Sequence, residues 1–188
     1  MYDNLEDLKA KVDICRNCKL CTTRMNTVFG EGNEKAKIMF IGEGPGRDED
    51  MQGRPFVGKA GKLMDNAFDV VGIKRDEVYI ANIVKCRPPH NRDPEKDEIN
   101  ACINYLRNQV MIIRPKIIVL LGRISLQTIL GEENKITATR GKWQEKKEIL
   151  YMPTWHPAAL LRDETKKIDF IYDLKKVTEK AKELEIQI

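Results

Sequence analysis

The sequence predicts an α/β protein: a central, mostly parallel sheet of about four strands covered by helices on both faces, a three-layer α/β/α sandwich. Three observations predict it. Short apolar runs of strand length alternate with longer segments of helical periodicity throughout the chain. The runs are apolar at consecutive positions, as in strands buried on both faces. The residues of unusual chemistry fall just after these runs, at the carboxyl ends where such sheets bind ligands. A length of 188 residues suits one domain, and no repeat, low-complexity tract or boundary divides residues 1–188.

The elements follow in order. Leu5 to Ile14 carries Leu5, Leu8 and Val12 at helical spacing, with Asn4 as a cap. Lys37 to Gly42 is a short apolar run ended by glycine, a buried strand. Lys59 to Val71 is a helix expected to turn Leu63, Ala67 and Val70 inward. Val78 to Val84 is the second strand. Asp93 reads as the cap of a long helix from Pro94 to Ile113, with proline at its first position and acidic residues in its first turn. Lys116 to Gly122 is the third strand, followed by a short helix to Leu130. Glu148 to Thr154 is the fourth strand, and Thr165 to Leu184 a charged closing helix.

Composition excludes some classes. No apolar run of about 18 residues marks a membrane span, and no basic-then-apolar leader opens the chain, so a cytoplasmic location is expected. One third of the residues (33%) are charged and only 6% are aromatic, which resembles the surface ion networks of thermophile proteins. A net charge of +4 permits an anionic partner without demanding one.

Five cysteines stand at Cys15, Cys18, Cys21, Cys86 and Cys102. The two-residue gap between Cys15 and Cys18 lets thiolates of one turn grip the same centre. Convergence with the distant Cys86 and Cys102 suits a zinc ion or an iron–sulfur cluster. Cys21 is the odd one out, a candidate spare thiol. Unrelated buried thiols are the simpler explanation for any one of them.

Three loops after strands carry the remaining chemistry: Gly42-Glu43-Gly44-Pro45-Gly46, Asn82 with Cys86-Arg87-Pro88-Pro89, and Trp155-His156-Pro157-Ala158. Two near-motifs fail. Gly53 to Ala60 lacks the hydroxyl of a phosphate-binding loop, because Ala60 stands where Ser or Thr should hold magnesium. Gly42, Gly44 and Gly46 miss the dinucleotide spacing, and Pro45 interrupts them; they read as a tight turn beside a flat ligand.

With Gly53-Arg54-Pro55-Phe56-Val57-Gly58, Asn82 to Pro89 and His156-Pro157-Ala158, the chain from Cys15 to about Arg162 resembles the family 4 uracil-DNA glycosylases, iron–sulfur enzymes of bacteria and archaea. The resemblance implies a monofunctional repair enzyme acting on uracil-containing DNA. It also implies a 4Fe-4S cluster on Cys15, Cys18, Cys86 and Cys102, with Cys21 left out. Monomeric behaviour is expected. A sliding clamp is a conceivable partner, although no convincing terminal motif for one is visible.

The implied roles can be checked against the residues. A base in a duplex must be rotated out of the stack to be reached. Phe56 offers a face for the pyrimidine, beside Gly42 and Gly44. The amide of Asn82 matches N3–H and O4 of uracil and mismatches cytosine. His156 is the expected donor to uracil O2, where negative charge develops as the glycosidic bond breaks. The aspartate that related families use to orient water is replaced by Gly44, so Glu43, or Asn91, is expected to place it. Glu49 is expected to wall off the C5 side against thymine. Leu160 or Leu161 would fill the gap left by the flipped nucleotide, with Arg162 on phosphate. Arg87, Asn91 and Arg92 would form a DNA-facing loop, with Arg140, Lys142, Lys166 and Lys167 as further phosphate contacts. Three other readings stay open: a non-catalytic DNA-binding module, an electron-transfer protein, and a glycosylase for deaminated purines.

Overall fold

The computed structural model describes residue 2 and residues 4–187. Six strands form one sheet: β1 (Glu31–Gly32), β2 (Ile38–Gly42), β3 (Tyr79–Asn82), β4 (Ile117–Leu121), β5 (Gln144–Lys146) and β6 (Ile149–Thr154), in the order β1-β3-β2-β4-β6-β5. The four central strands are parallel, as expected. The sheet is wider than expected because short antiparallel strands close both edges, β1 on β3 and β5 on β6. Neither edge strand is long enough to carry a hydrophobic period, which is why the sequence hides them.

The helices are α1 (Leu5–Asp13), α2 (Arg47–Gln52), α3 (Lys59–Val71), α4 (Lys96–Ile113), α5 (Arg123–Leu130), α6 (Ile136–Thr139), α7 (Pro157–Arg162) and α8 (Lys166–Glu183). Consecutive residues of the central strands face opposite layers. Met39, Ile41, Ile118 and Leu120 pack under α1, α4 and α5 with Leu8, Leu106 and Leu126. Ile38, Phe40, Ile117 and Val119 pack under α3, α7 and α8 with Met64, Phe68, Leu160 and Leu174. The sandwich therefore has two cores, one on each face of the sheet.

Local chemistry explains most boundaries. Asn4 caps α1, its Oδ1 accepting from the Asp7 N–H at 2.8 Å. The long helix begins later than expected. Glu95, not Asp93, caps α4 through a reciprocal capping box with Glu98, and Asp93 turns instead to Arg123. On α3 the inner face is Met64, Ala67 and Phe68, whereas Val70 is exposed.

Strand order sets the site. Chain connections leave β2 and β4 toward opposite sides of the sheet, and a crevice opens at their carboxyl ends. The register pairs Gly42 with Asn82 and Leu121 with Thr154 along that edge.

Candidate active site

The crevice holds about 610 Å³ and gathers the three loops predicted to meet there. Asn82, the last residue of β3, is 1% exposed, and its Oδ1 has no hydrogen-bond partner among the described residues. A buried acceptor without a donor is costly, so this oxygen marks a place for a ligand N–H. Gly42 makes room for it: a Cβ there would lie 2.5 Å from Asn82 Oδ1 and 2.6 Å from Phe56 Cζ.

Phe56 stands beside His156, with ring centroids 5.6 Å apart. Its φ of +50° is a left-handed conformation that an aromatic residue adopts only when held there. The hold is visible. Glu49 Oε1 accepts from the N–H groups of Val57 (2.9 Å) and Gly58 (2.8 Å), and Arg75 donates to the Pro55 carbonyl at 2.7 Å. Gly61 passes under the loop where a Cβ would strike the Phe56 carbonyl oxygen at 1.9 Å. Glu49 therefore lines the crevice, with its carboxylate engaged in positioning the Phe56 loop.

His156 caps α7, and its Nδ1 accepts from the Ala158 N–H at 3.1 Å. That bond assigns the ring proton to Nε2, leaving a neutral N–H donor. Burial, assisted by the Arg162 charge, lowers its pKa to about 4, so the ring is neutral at physiological pH. Glu43 lines the same crevice. Burial first, then the neighbouring Asp93 carboxylate, push its carboxyl up to about 7, against the pull of Arg123 and Arg162.

Around the rim, Asn91 and Arg162 reach the crevice, and Arg87 donates to Asn91 Oδ1 at 2.8 Å. Four expectations are corrected. Leu160 is fully buried in the core under α3 and α8 and cannot enter DNA; Leu161 beside it is 49% exposed. Arg92 spends its guanidinium fork on Glu98, at 2.7 and 2.8 Å, and on the Asp93 carbonyl rather than leaving it free for phosphate. Arg140 is likewise held by Asp173 and serves the fold. Lys166 and Lys167 are engaged by Asp163 and Glu164. Sequence reasoning missed Arg47, Lys59 and Arg123, all at the crevice and each opening a helix just after a glycine. A glycine N-cap followed by a basic first helical residue was the available signal.

A second, smaller cavity brings all five thiols together between α1, the 3₁₀ turn Lys19–Thr22, the Cys86 loop and α4. Cys21, set aside as a spare, lines it too. Among the described residues no three His, Cys, Asp or Glu side chains are grouped tightly enough to hold a single metal ion. The donor set nonetheless fits a thiolate-held cluster. Cys86 Sγ accepts from Arg24 Nη1 at 3.1 Å and Cys102 Sγ from the Lys85 N–H at 3.3 Å, contacts that favour charged sulfur. Burial raises the Cys18 and Cys86 thiols and pushes Cys102 up to about 11, so thiolates here call for a compensating metal charge. Lys85, also missed, is completely buried beside them, and burial lowers its ammonium to about 8.

A parallel α/β sheet whose carboxyl edge offers an aromatic face, an unpartnered amide oxygen and a neutral imidazole donor defines a receptor for a flat, polar ring such as a nucleobase. The comparisons with known proteins agree. Residues 29–181 match the model of the uracil DNA glycosylase superfamily. A type-4 uracil-DNA glycosylase of Sulfurisphaera tokodaii is 52% identical, covering 95% of this chain and 86% of the relative. That of Saccharolobus solfataricus is 49% identical over 85% and 78%, and that of Archaeoglobus fulgidus 43% over 94% and 93%. The chain belongs to the uracil DNA glycosylase superfamily and, within it, to the type-4 enzymes.

Proposed function

We propose that this protein removes uracil from DNA, hydrolysing the N-glycosidic bond with water and leaving an abasic site. The observation that carries this reading is the buried, unpartnered Oδ1 of Asn82. Uracil presents N3–H to that oxygen and O4 to the amide NH₂, and cytosine presents the reverse pattern. A pocket with an unsatisfied buried group discriminates strongly.

The flipped base lies against Phe56, whose loop is fixed before the base arrives. As the C1′–N1 bond breaks, its electron pair passes to the uracil and charge gathers at O2. The Nε2–H of His156 donates to that oxygen, and a neutral donor suffices. Water adds at C1′ and gives up its proton, with Glu43 as the group that orients it and accepts that proton when ionised. Gly42 and Gly44 keep the backbone close to the ring. Arg162, Arg87 and Asn91 would meet the DNA backbone, with Leu161 as the wedge.

The thiol cavity would hold a 4Fe-4S cluster on Cys15, Cys18, Cys86 and Cys102. That group would tie α1 to the segment between Cys86 and α4, and so brace the loop carrying Arg87 and Asn91. Reduced thiols suit a cytoplasmic enzyme.

The test is incubation of anaerobically purified protein with a labelled oligonucleotide carrying one uracil, followed by alkali. Cleavage at uracil but not at cytosine or thymine, largely lost in His156→Ala, is the expected result. No abasic sites from folded, iron-replete protein would refute the reading.

A further inference from the structure

The two cavities meet at one short stretch of chain, and a buried cation stands between them. Lys85 is 1% exposed. Its Nζ donates to the Asn82 carbonyl oxygen at 2.9 Å and to Gln109 Oε1 at 2.6 Å, both neutral acceptors. Its own backbone N–H donates to Cys102 Sγ, and Lys85 lines the thiol cavity. Among the described residues it forms no ion pair with a carboxylate. Gln109 is in turn fixed, because its Nε2 donates to the Phe29 carbonyl (2.9 Å) and to Tyr79 Oη (3.2 Å). An ammonium enclosed by neutral groups is expensive unless opposite charge lies close by. The anionic group its charge reaches is the Cys102 thiolate, whose sulfur also accepts from the Lys85 backbone N–H.

We propose that Lys85 is a positioning residue that couples the two sites: its ammonium is the counter-charge of the thiolate-held group and, through the Asn82 carbonyl, the clamp on the base-reading amide. This rests on the roles given above to Asn82 and to the cluster. The polypeptide route is three residues long, from Asn82 to Lys85, and ends one residue before Cys86. Loss of the cluster would leave the lysine without its counter-charge, favour its withdrawal from the Asn82 carbonyl, and blur the aim of the amide. Base recognition would then depend on an occupied thiol cavity without any contact between cluster and base.

Two consequences separate this from simple packing. A nearby positive charge favours the reduced, more negative cluster, so removing it shifts the reduction potential downward. Loosened Asn82 geometry slows excision while leaving the rim contacts to DNA in place.

Wild-type excision and iron content are measured first, so that failure of the underlying reading shows itself there. Lys85→Met, which keeps the length and removes the charge, is then compared in iron-replete form. The expected result is a more negative cluster potential, a loss of about 10- to 100-fold in single-turnover uracil excision, and little change in affinity for uracil-free DNA. Gln109→Glu keeps the lysine but gives it a competing anion, and should move the potential in the same direction by a smaller step. If Lys85→Met fails to fold, Gln109→Glu decides through its potential. An unchanged potential in the folded variants overturns the proposal, as does an excision defect matched by an equal loss of DNA affinity.

Discussion

The crevice and the thiol cavity lie a few residues apart along the chain, yet they are unfinished in opposite senses. The crevice is wide and open, and what it leaves unmatched is an acceptor, Asn82 Oδ1. The thiol cavity is much smaller, and what it leaves unmatched is a cation, Lys85. Each unmatched group indicates the chemistry of its partner. A neutral ring bearing an N–H suits the first, and a centre that keeps thiolates anionic suits the second. Hydrogen-bond accounting thus separates a substrate site from a resident-cofactor site where shape alone would not.

Breaking either region should give a distinct signature. His156→Ala removes a donor aimed at developing charge and should cost about 10²- to 10³-fold in single-turnover rate with substrate affinity nearly intact. An effect below threefold would remove His156 from the chemistry. Cys15→Ala should lose iron and thermal stability together, read as metal per chain and a lowered Tm; a folded, fully active, iron-free variant would end the structural role of the cluster. By contrast, Cys21→Ser should keep its iron, and loss of iron there would make Cys21 a ligand.

The pH profile sharpens the contrast within the crevice. Glu43 is ionised above about 7 and protonated below it, so excision should fall as pH drops through 7. His156, titrating near 4, stays neutral across that range and cannot cause the limb. In Glu43→Gln the limb should vanish along with most of the rate; its persistence would assign the limb elsewhere. The smallest effects compare neighbours on α7. Leu160→Ala should cost about 2–5 kcal/mol of stability by leaving a cavity. Leu161→Ala should change stability by less than about 0.5 kcal/mol while weakening excision from duplex more than from single strands. Denaturation curves and rates on the two substrates check the pair.

Much of this was legible in the chain, for identifiable reasons. The four parallel strands are continuous apolar runs, and α1 and α3 show their helical spacing. Gly42, Asn82 and His156 stand in or beside strand-end loops that must converge at one edge of such a sheet, but their roles, and that of Phe56, were legible only through the family resemblance. Other features depend on partners that no local pattern reveals. Leu160 and Leu161 are identical in sequence, and only the turn of α7 separates core from surface. Arg92 looked free until Glu98, six residues on, was seen to occupy its fork. Lys85 reads as one more basic residue beside Cys86. Its burial follows from α4 carrying Gln109 across the end of β3.

The edge strands have a consequence for the behaviour of the molecule in a crowded solution. A sheet with four central strands apolar on both faces is a template onto which other chains can add, and the hazard grows when heating loosens the covering helices. Here β1 stops after Glu31 and Gly32, and β5 ends at Lys146 with the charged pair Lys147 and Glu148 in the turn that follows. Each edge thus presents only two or three residues, carrying charge rather than apolar side chains. Such short margins offer little register for a foreign strand, so the sheet should resist growth into fibrils during partial unfolding.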